Sequence, residues 1–262
     1  MENKIILHTE DISIGYATKK GRTVVASHIN LSLEKGKLIS LIGANGIGKS
    51  TLLRTLTGIQ KPLSGKITLS GKDIAEYNTR LLARQLSVVL TEKLPPGNLT
   101  VFELIALGRQ PYTNWLGQLT NDDMIKVKNA MAITQTDSYS EKKHYELSDG
   151  QLQKSMVARA LAQDTSLIIL DEPTTHLDLQ HKFSLFKLLK TLAHETDKCI
   201  LFSTHDIDMA IQLSDEMILM TPGSTVQEPP STFIRHNFFE KLFPEGDISF
   251  DAQKVKFVFK NL

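Results

Sequence analysis

The stretch that most constrains the fold is the octapeptide Gly43-Ala44-Asn45-Gly46-Ile47-Gly48-Lys49-Ser50, which fits the pattern G-x-x-x-x-G-K-S. It follows the apolar run Leu38–Ile42 and precedes a segment, Ser50–Thr57, whose leucines recur at helical spacing. Glycines at this spacing let backbone N–H groups curl around a phosphate chain. A strand, a glycine-rich turn and a helix in this order therefore predict a nucleotide-binding α/β domain.

The side chains of this loop indicate how a nucleoside triphosphate and Mg²⁺ would be held. Lys49 is expected to reach the terminal phosphates, and the Ser50 hydroxyl is expected to ligate Mg²⁺. The helix that follows adds positive potential at its N-terminus. We expect the other contacts of the loop with the nucleotide to come from Gly43, Asn45, Gly46, Gly48 and Thr51.

An acidic pair, Asp171 and Glu172, follows the apolar run Leu167–Leu170. Such a run predicts a buried strand, and the carboxylates would project from its C-terminal end. Asp171 could hold Mg²⁺ through water, and Glu172 could orient and deprotonate an attacking water molecule. An acidic pair alone is weak evidence, but together with the phosphate loop it indicates hydrolysis of the triphosphate.

Between these two motifs lies Leu147-Ser148-Asp149-Gly150-Gln151, which resembles the LSGGQ signature of ATP-binding cassette (ABC) transporters. The chain is similar to the nucleotide-binding subunit of that family from about residue 5 to about residue 230. The resemblance implies that Ser148, Gly150 and Gln151 face the γ-phosphate of an ATP molecule held by a partner subunit. Two copies of the chain would then close head-to-tail around two ATP molecules, as a homodimer.

Three further positions match residues of that family. Tyr16 matches the aromatic side chain that stacks on adenine, and Asp178, in Thr175-His176-Leu177-Asp178, matches the acid of the loop joining the two subunits. His205, in Thr204-His205-Asp206, matches the switch histidine that contacts the γ-phosphate. The resemblance thus assigns a catalytic role to His205 and nucleotide contacts to Tyr16 and Asp178.

Two positions depart from the family pattern. Glu92 stands where the family has a glutamine that contacts Mg²⁺ and the attacking water, and our hypothesis is that Glu92 keeps this catalytic and metal-binding role. Asp149 stands where the signature has glycine. Because a carboxylate aimed at the γ-phosphate would repel it, we expect Asp149 to point away, in a turn conformation that aspartate tolerates.

The predicted fold is α/β, a P-loop NTPase (RecA-like) core with a parallel sheet, an N-terminal antiparallel β subdomain and an inserted α-helical subdomain. We expect an ABC ATPase domain over residues 1–230, with the helical insertion at about 93–160, and a short C-terminal extension over 231–262. Leu86–Leu90 is interpreted as part of a hairpin, and Gly108 as the end of a helix capped by Thr100 and Glu103. Further core strands are expected at Cys199–Ser203 and Glu216–Met220.

Composition excludes several classes of function. The chain has 262 residues and a formal net charge of +1, so no overall basic field favours nucleic acid. The lone cysteine, Cys199, excludes an internal disulfide and is expected to be buried filler. The N-terminus lacks the pattern of a signal peptide, and no run approaches the roughly 18 apolar residues of a membrane span. We expect a soluble protein at the cytoplasmic face of the cell (inner) membrane, attached through other subunits.

The segment Leu104–Tyr112 resembles the ATPase subunits of importers for iron chelates (siderophores), haem and cobalamin. This resemblance implies integral membrane permease subunits as partners and, indirectly, a substrate-binding protein. The ATPase of an exporter would share every catalytic motif, and a soluble cassette acting on ribosomes or DNA is a further alternative. A small GTPase or kinase is disfavoured because the chain has no Asn-Lys-x-Asp motif. The sequence does not name the transported molecule.

Overall fold

A computed structural model of the chain describes residues 4–18, 21–90, 97–175, 177–242, 248–251, 254 and 256–259, so Glu92 and His176 lie outside the described residues. The strands are β1 (Ile5–Thr18), β2 (Gly21–Ile29), β3 (Ser32–Glu34), β4 (Leu38–Gly43), β5 (Ser64–Leu69), β6 (Lys72–Asp73), β7 (Leu86–Val89), β8 (Leu167–Leu170), β9 (Cys199–Ser203), β10 (Glu216–Thr221), β11 (Ser224–Glu228), β12 (Ile248–Asp251) and β13 (Lys256–Phe259). The α-helices are α1 (Lys49–Leu56), α2 (Thr79–Leu82), α3 (Val101–Ala106), α4 (Asn121–Thr134), α5 (Asp149–Ala162), α6 (Leu179–Thr196), α7 (Ile207–Leu213) and α8 (Pro230–Arg235).

A mainly parallel sheet forms the centre of the fold. Within the described ranges its strand order is β11-β10-β4-β9-β8-β7, and only β11 runs antiparallel to its neighbour. The strands β4, β8 and β9 lie side by side, so their C-terminal ends meet at one edge of the sheet. This arrangement confirms the predicted α/β fold, and it brings the phosphate loop, the acidic pair and His205 to the same edge.

The expectation that Leu86–Leu90 belongs to a hairpin is wrong. The strand β7 pairs parallel with β8, with Leu86 opposite Leu167 and Val89 opposite Leu170, and so extends the central sheet. A short apolar run does not show by itself whether its partner is the next strand in sequence or a distant parallel one. Gln163 strengthens the junction, because its side-chain amide donates hydrogen bonds to the carbonyls of Ala83 and Leu86.

The predicted N-terminal antiparallel subdomain is confirmed. In the part of the chain that the structure describes, its strands follow the order β2-β1-β5-β6, and β3 also pairs with β1. Gln227 of β11 joins this sheet to the central one, since it exchanges hydrogen bonds with the backbone of Ser32 and donates one to Glu216. The two sheets are therefore tied by polar contacts as well as by packing.

The helical region between β7 and β8 begins with two capped helices, and the cap of the first is the predicted one. Thr100 and Glu103 form a reciprocal capping box on α3, and Thr120 and Asp123 form another on α4. Gly108, however, does not end a helix as a left-handed cap. It lies in a 3₁₀ turn, where a β-carbon would collide with the carbonyl oxygen of Arg159. Its small size therefore lets this turn, which follows α3, pack closely against α5.

Two apolar clusters cover the faces of the central sheet. Along β8, Ile168 and Leu170 face the helical side, whereas Leu167 and Ile169 face the antiparallel sheet and α1. This alternation follows from the two-residue period of a strand. All four side chains are at most 1% exposed, and burying each contributes about 1.5–3 kcal/mol. Cys199 is buried as expected, and burial raises the pKa of its thiol.

A third cluster involves the C-terminal segment. Phe233 of α8 and Phe239 of a following 3₁₀ turn pack with Ile42, Met217 and Leu219 of the central sheet. The hairpin of β12 and β13 adds two partly buried aromatic rings to this cluster, those of Phe250 and Phe257. The described part of the chain contains no helix long and apolar enough to cross a membrane.

Candidate functional site

The phosphate loop joins β4 to α1, and its backbone geometry depends on glycine. Gly48 has φ 111°, in a region that side chains disfavour, and a β-carbon there would collide with Val25. The predicted contact residues Gly43, Asn45 and Gly46 lie in the same loop, with Asn45 and Gly46 exposed. Such a loop brings backbone N–H groups to the start of α1, where they can surround an anion.

Lys49 is the cation of this loop. Its side chain is buried, and Nζ donates to the carbonyl of Gly43 at 2.9 Å and to that of Ala44 at 3.2 Å. Burial lowers the pKa of Lys49, while the carboxylates of Glu172 and Asp171 act in the opposite direction. A positive group held in a partly desolvated position interacts strongly with an anion that enters the loop. Ser50, the next residue, is exposed at the first turn of α1.

The acidic pair follows β8 directly, and its two members have different surroundings. Asp171 is buried, and its Oδ1 accepts a hydrogen bond of 2.6 Å from the Ser203 hydroxyl. Glu172 is partly exposed and adopts a left-handed backbone conformation with φ 49°. Its Oε1 lies 2.7 Å from Nε2 of His205. The geometry thus places a carboxylate and an imidazole in hydrogen-bond contact at the edge where the phosphate loop begins.

The donor chemistry at this edge suits Mg²⁺. A serine hydroxyl and a buried carboxylate are hard oxygen donors, and Mg²⁺ is usually held by one or two such groups together with substrate phosphates and water. Among the described residues there is no group of three or more His, Cys, Asp or Glu side chains placed to hold a metal ion by themselves. Ser50 and Asp171 could supply two of the oxygen ligands of such an ion.

Tyr16 lies on β1, beside the phosphate loop. Its ring is 49% exposed, and its hydroxyl lies 3.0 Å from the Thr51 hydroxyl of α1. The ring also lines a cavity of about 480 Å³ together with Arg22 and the segment 60–63. An exposed aromatic ring anchored next to a phosphate loop is a suitable surface for a planar base.

The signature segment forms the start of α5. Ser148 is the N-cap, its hydroxyl accepts from the N–H of Gln151, and the side chain of Gln151 accepts from the N–H of Ser148. Gly150 packs against His181, since a β-carbon there would lie 2.8 Å from its ring. Asp149 is the first helical residue and does not lie in the expected turn, and a carboxylate is favourable at this end of a helix.

Asp178 is the N-cap of α6, next to the signature segment. Its Oδ1 accepts from the N–H of His181 and lies 2.8 Å from Nδ1 of the same residue. The hydrogen bond from the backbone of His181 lowers the pKa of Asp178. His181 therefore connects two predicted regions, because it touches Gly150 on one side and Asp178 on the other. The contacts join Ser148, Gly150, Gln151 and Asp178 into one surface region around the start of α6.

Sequence reasoning assigns no role to three residues that connect the site. His181 carries no motif of its own, and the sequence marks Ser203 only as the end of a strand. Asp206 accepts hydrogen bonds from Thr174 at 3.2 Å and from Lys182 of α6 at 3.0 Å, and so ties the His205 loop to α6. The one available sequence indication is a hydroxyl at the end of an apolar strand, two residues before His205.

Comparison with known proteins places the chain in a family. A sequence model described as ABC transporter matches residues 26–175. An uncharacterized ABC transporter ATP-binding protein of Methanocaldococcus jannaschii is 44% identical over 82% of this chain and 73% of its own length. The achromobactin transport ATP-binding protein CbrD of Dickeya dadantii is 39% identical, over 80% and 77%. The iron(3+)-hydroxamate import ATP-binding protein FhuC of Bacillus subtilis is 38% identical, over 85% and 81%.

The structural comparison agrees with the sequence comparison. A chain from a structure described as an inward-facing, metal-chelate type ABC transporter superposes with a TM-score of 0.79 and 26% identity, covering 92% of this chain and 90% of its own. The family match spans more than half of the chain, and relatives of the same family align over about four fifths of it. The chain therefore belongs to the ABC transporter family, as one of its ATP-binding and ATP-hydrolysing cassettes.

Proposed function

We propose that this ATPase powers a membrane importer of a metal chelate and hydrolyses ATP at the site formed by Lys49, Asp171, Glu172 and His205. The observation that supports the site most directly is the 2.7 Å contact between Glu172 and His205, beside the buried cation of the phosphate loop. In this site Glu172 takes a proton from a water molecule, and the oxygen of that water attacks the γ-phosphorus. The bond between the γ-phosphorus and the oxygen that bridges it to the β-phosphate breaks, and ADP and phosphate leave.

The other residues of the site bind and orient the substrate. Lys49 and the loop amides hold the phosphates, Tyr16 stacks on the base, and His205 senses the γ-phosphate through its contact with Glu172. Mg²⁺, held by Ser50 and Asp171, would neutralise charge on the phosphate oxygens. Glu92 keeps its proposed role near the water and the metal, in the segment outside the described residues.

We propose that a second copy of the chain completes each ATP site. The region around the start of α6 supports this, because contacts through His181 bring the exposed residues Ser148 and Asp178 together with the partly exposed Gly150 and Gln151. Ser148 and the amides at the start of α5 form an anion-binding end of a 14-residue helix. In a head-to-tail homodimer this end meets the γ-phosphate held by the phosphate loop of the partner.

The names of the relatives support import of an iron chelate, since one is an iron(3+)-hydroxamate import protein and a structural neighbour is of the metal-chelate type. Coupling requires integral membrane permease subunits, and a substrate-binding protein acts through them. This assembly would hold the chain at the cytoplasmic face of the membrane. Trp115 is 91% exposed and Leu116 is 56% exposed, and the two lie three and four residues after Tyr112. Such exposed apolar side chains suit a protein interface.

The test of the ATP site is Glu172→Gln, which keeps the size of the side chain but removes the base. We expect hydrolysis to fall by at least about 100-fold, because general-base catalysis contributes that much. ATP binding should persist, and size-exclusion chromatography with light scattering should show an ATP-dependent dimer. A variant that stays monomeric in ATP and hydrolyses at the wild-type rate would contradict both the assigned base and the shared site.

The test of the importer is reconstitution with the permease subunits and the substrate-binding protein of a metal-chelate importer. We expect the chelate-loaded binding protein to stimulate ATP hydrolysis, and Trp115→Ala to abolish that stimulation while the isolated subunit hydrolyses ATP normally. Ile125→Ala, an exposed apolar position on α4, is the matched control. Turnover that never responds to the binding protein would favour an exporter or a soluble cassette.

A further inference from the structure

We propose that Ser203 is a positioning residue for hydrolysis, which aligns the metal-binding carboxylate and the general base through one hydroxyl. Ser203 ends β9 and has 0% exposure. Its Oγ donates to Oδ1 of Asp171 at 2.6 Å and accepts from the backbone N–H of Glu172 at 2.8 Å. The inference rests on the proposed roles of Asp171 and Glu172, and it adds a residue that contacts neither substrate nor metal.

The two hydrogen bonds of Ser203 are compatible only in one orientation. A serine hydroxyl has one hydrogen and two lone pairs. Donation to Asp171 uses the hydrogen, so the N–H of Glu172 must meet a lone pair, which is what a backbone donor requires. The same oxygen therefore fixes the direction of one carboxylate and the backbone position from which the other projects.

The backbone conformation of Glu172 indicates what its hydrogen bond to Ser203 does. Glu172 has φ 49°, a conformation that non-glycine residues adopt at a cost in energy. Such a conformation persists when surrounding contacts determine it. The hydrogen bond from the Glu172 N–H to Ser203 is one such contact, and the Glu172 carboxylate then reaches His205. Without the Ser203 hydroxyl, both the rotamer of Asp171 and the conformation of Glu172 lose a constraint.

The variant Ser203→Ala removes the hydroxyl and leaves a small side chain that fits the buried position. Mutating a residue that orients a metal ligand by a hydrogen bond typically lowers metal affinity or activity 10–100-fold. We expect kcat of the full-length chain to fall about tenfold, with KM for ATP within about twofold. The second measurement is the affinity for a fluorescent, non-hydrolysable ATP analogue, with Mg²⁺ and with EDTA. We expect Ser203→Ala to reduce about tenfold the factor by which Mg²⁺ increases this affinity, and to leave the affinity in EDTA unchanged.

Two further variants separate positioning from packing. Ser40→Ala is the matched control, since Ser40 is equally buried, lies opposite Phe202 of β9, and its hydroxyl has no hydrogen-bond partner among the described residues. It should change neither kcat nor the metal-dependent gain. Ser203→Thr keeps the hydroxyl and should retain the metal-dependent gain, even if the extra methyl group lowers the melting temperature.

The outcomes distinguish this inference from the proposed function. If Ser203→Ala behaves as Ser40→Ala in kcat and in metal-dependent binding, while Glu172→Gln is inactive, the role of Ser203 is refuted and the ATP site stands. If Ser203→Ala lowers kcat only in proportion to the folded fraction, Ser203 is structural and the inference is again refuted. If Glu172→Gln hydrolyses ATP normally, the proposed base itself is wrong.

Discussion

At the scale of single residues, the most constrained charge of the helical region is that of Asp123. It lies 2.8 Å from Nε of Arg109, and both side chains are only 4% exposed. Thr120 donates two further hydrogen bonds to Asp123, from its backbone N–H and its hydroxyl. Arg109 in turn donates to the carbonyl of Ala162 and stacks on the ring of Tyr112 at 3.9 Å. The pair therefore joins α4 to the end of α5.

Neutralising Asp123 should destabilise the protein, because it leaves the buried guanidinium of Arg109 without its counter-charge. We expect Asp123→Asn to lower the free energy of unfolding by about 3 kcal/mol, measured by urea denaturation at pH 7. Asp122→Asn is the control, since Asp122 is exposed in the same first turn and its change should cost less than about 1 kcal/mol. Equal losses for the two variants would show that the buried pair contributes nothing specific.

The stability difference between wild type and Asp123→Asn should depend on pH. Burial raises the pKa of Asp123, but the hydrogen bonds from Thr120 and Arg109 outweigh it and hold that pKa below its usual 3.8. Because the pKa is lower in the folded state, the stabilisation is complete above the unfolded value and is lost as the pH falls through the folded value. The difference between wild type and Asp123→Asn should be constant from about pH 8 to 5 and should shrink below about pH 4. A difference that stays constant to pH 3 would exclude this assignment.

At the scale of elements, the close approach of α5 to the 3₁₀ turn that follows α3 depends on Gly108. Its backbone is not left-handed, so replacement by alanine adds only a steric conflict with the carbonyl oxygen of Arg159. We expect Gly108→Ala to lower the free energy of unfolding by about 2–3 kcal/mol, as overpacking does. Gly117→Ala tests the opposite case, with φ 72° and open space around the β-carbon, and should cost about 1 kcal/mol. If Gly108→Ala costs no more than Gly117→Ala, the helices adjust without strain.

At this scale, the sequence predicts those structural features that residues close together in the chain determine. Patterns only a few residues long predict the capping boxes of Thr100 and Thr120. Equally short patterns predict the strands that precede the phosphate loop and the acidic pair. The partner of β7, the contact of Gly108 with α5 and the two bonds of Ser203 join residues far apart in sequence. No local pattern encodes such pairs, so the sequence could propose the site residues but not the contacts between them.

At the scale of the whole molecule, the C-terminal segment completes the fold around the end of β4. Ile42, Met217 and Leu219 of the central sheet are buried against Phe233 and Phe239, and Ile42 directly precedes the phosphate loop. If residues 231–262 formed an independent extension, its loss would leave the ATPase unchanged. The packing argues instead that the segment stabilises the edge of the sheet on which the loop depends.

Phe239→Ala tests this, since Phe239 is 1% exposed at the centre of the cluster. Truncating a buried phenylalanine costs about 3–5 kcal/mol, and we expect a single unfolding transition with a lower midpoint in the absence of nucleotide. Because Ile42 would lose part of its cover, ATP should also bind more weakly. The control Tyr145→Ala removes an aromatic ring that is 64% exposed and should leave the midpoint unchanged.

Two separate transitions, with unchanged ATP affinity, would mean that the segment folds apart from the core. A single shifted transition would mean that core and C-terminal segment are one cooperative unit, because a local loss of packing lowers the stability of the whole only when both unfold together.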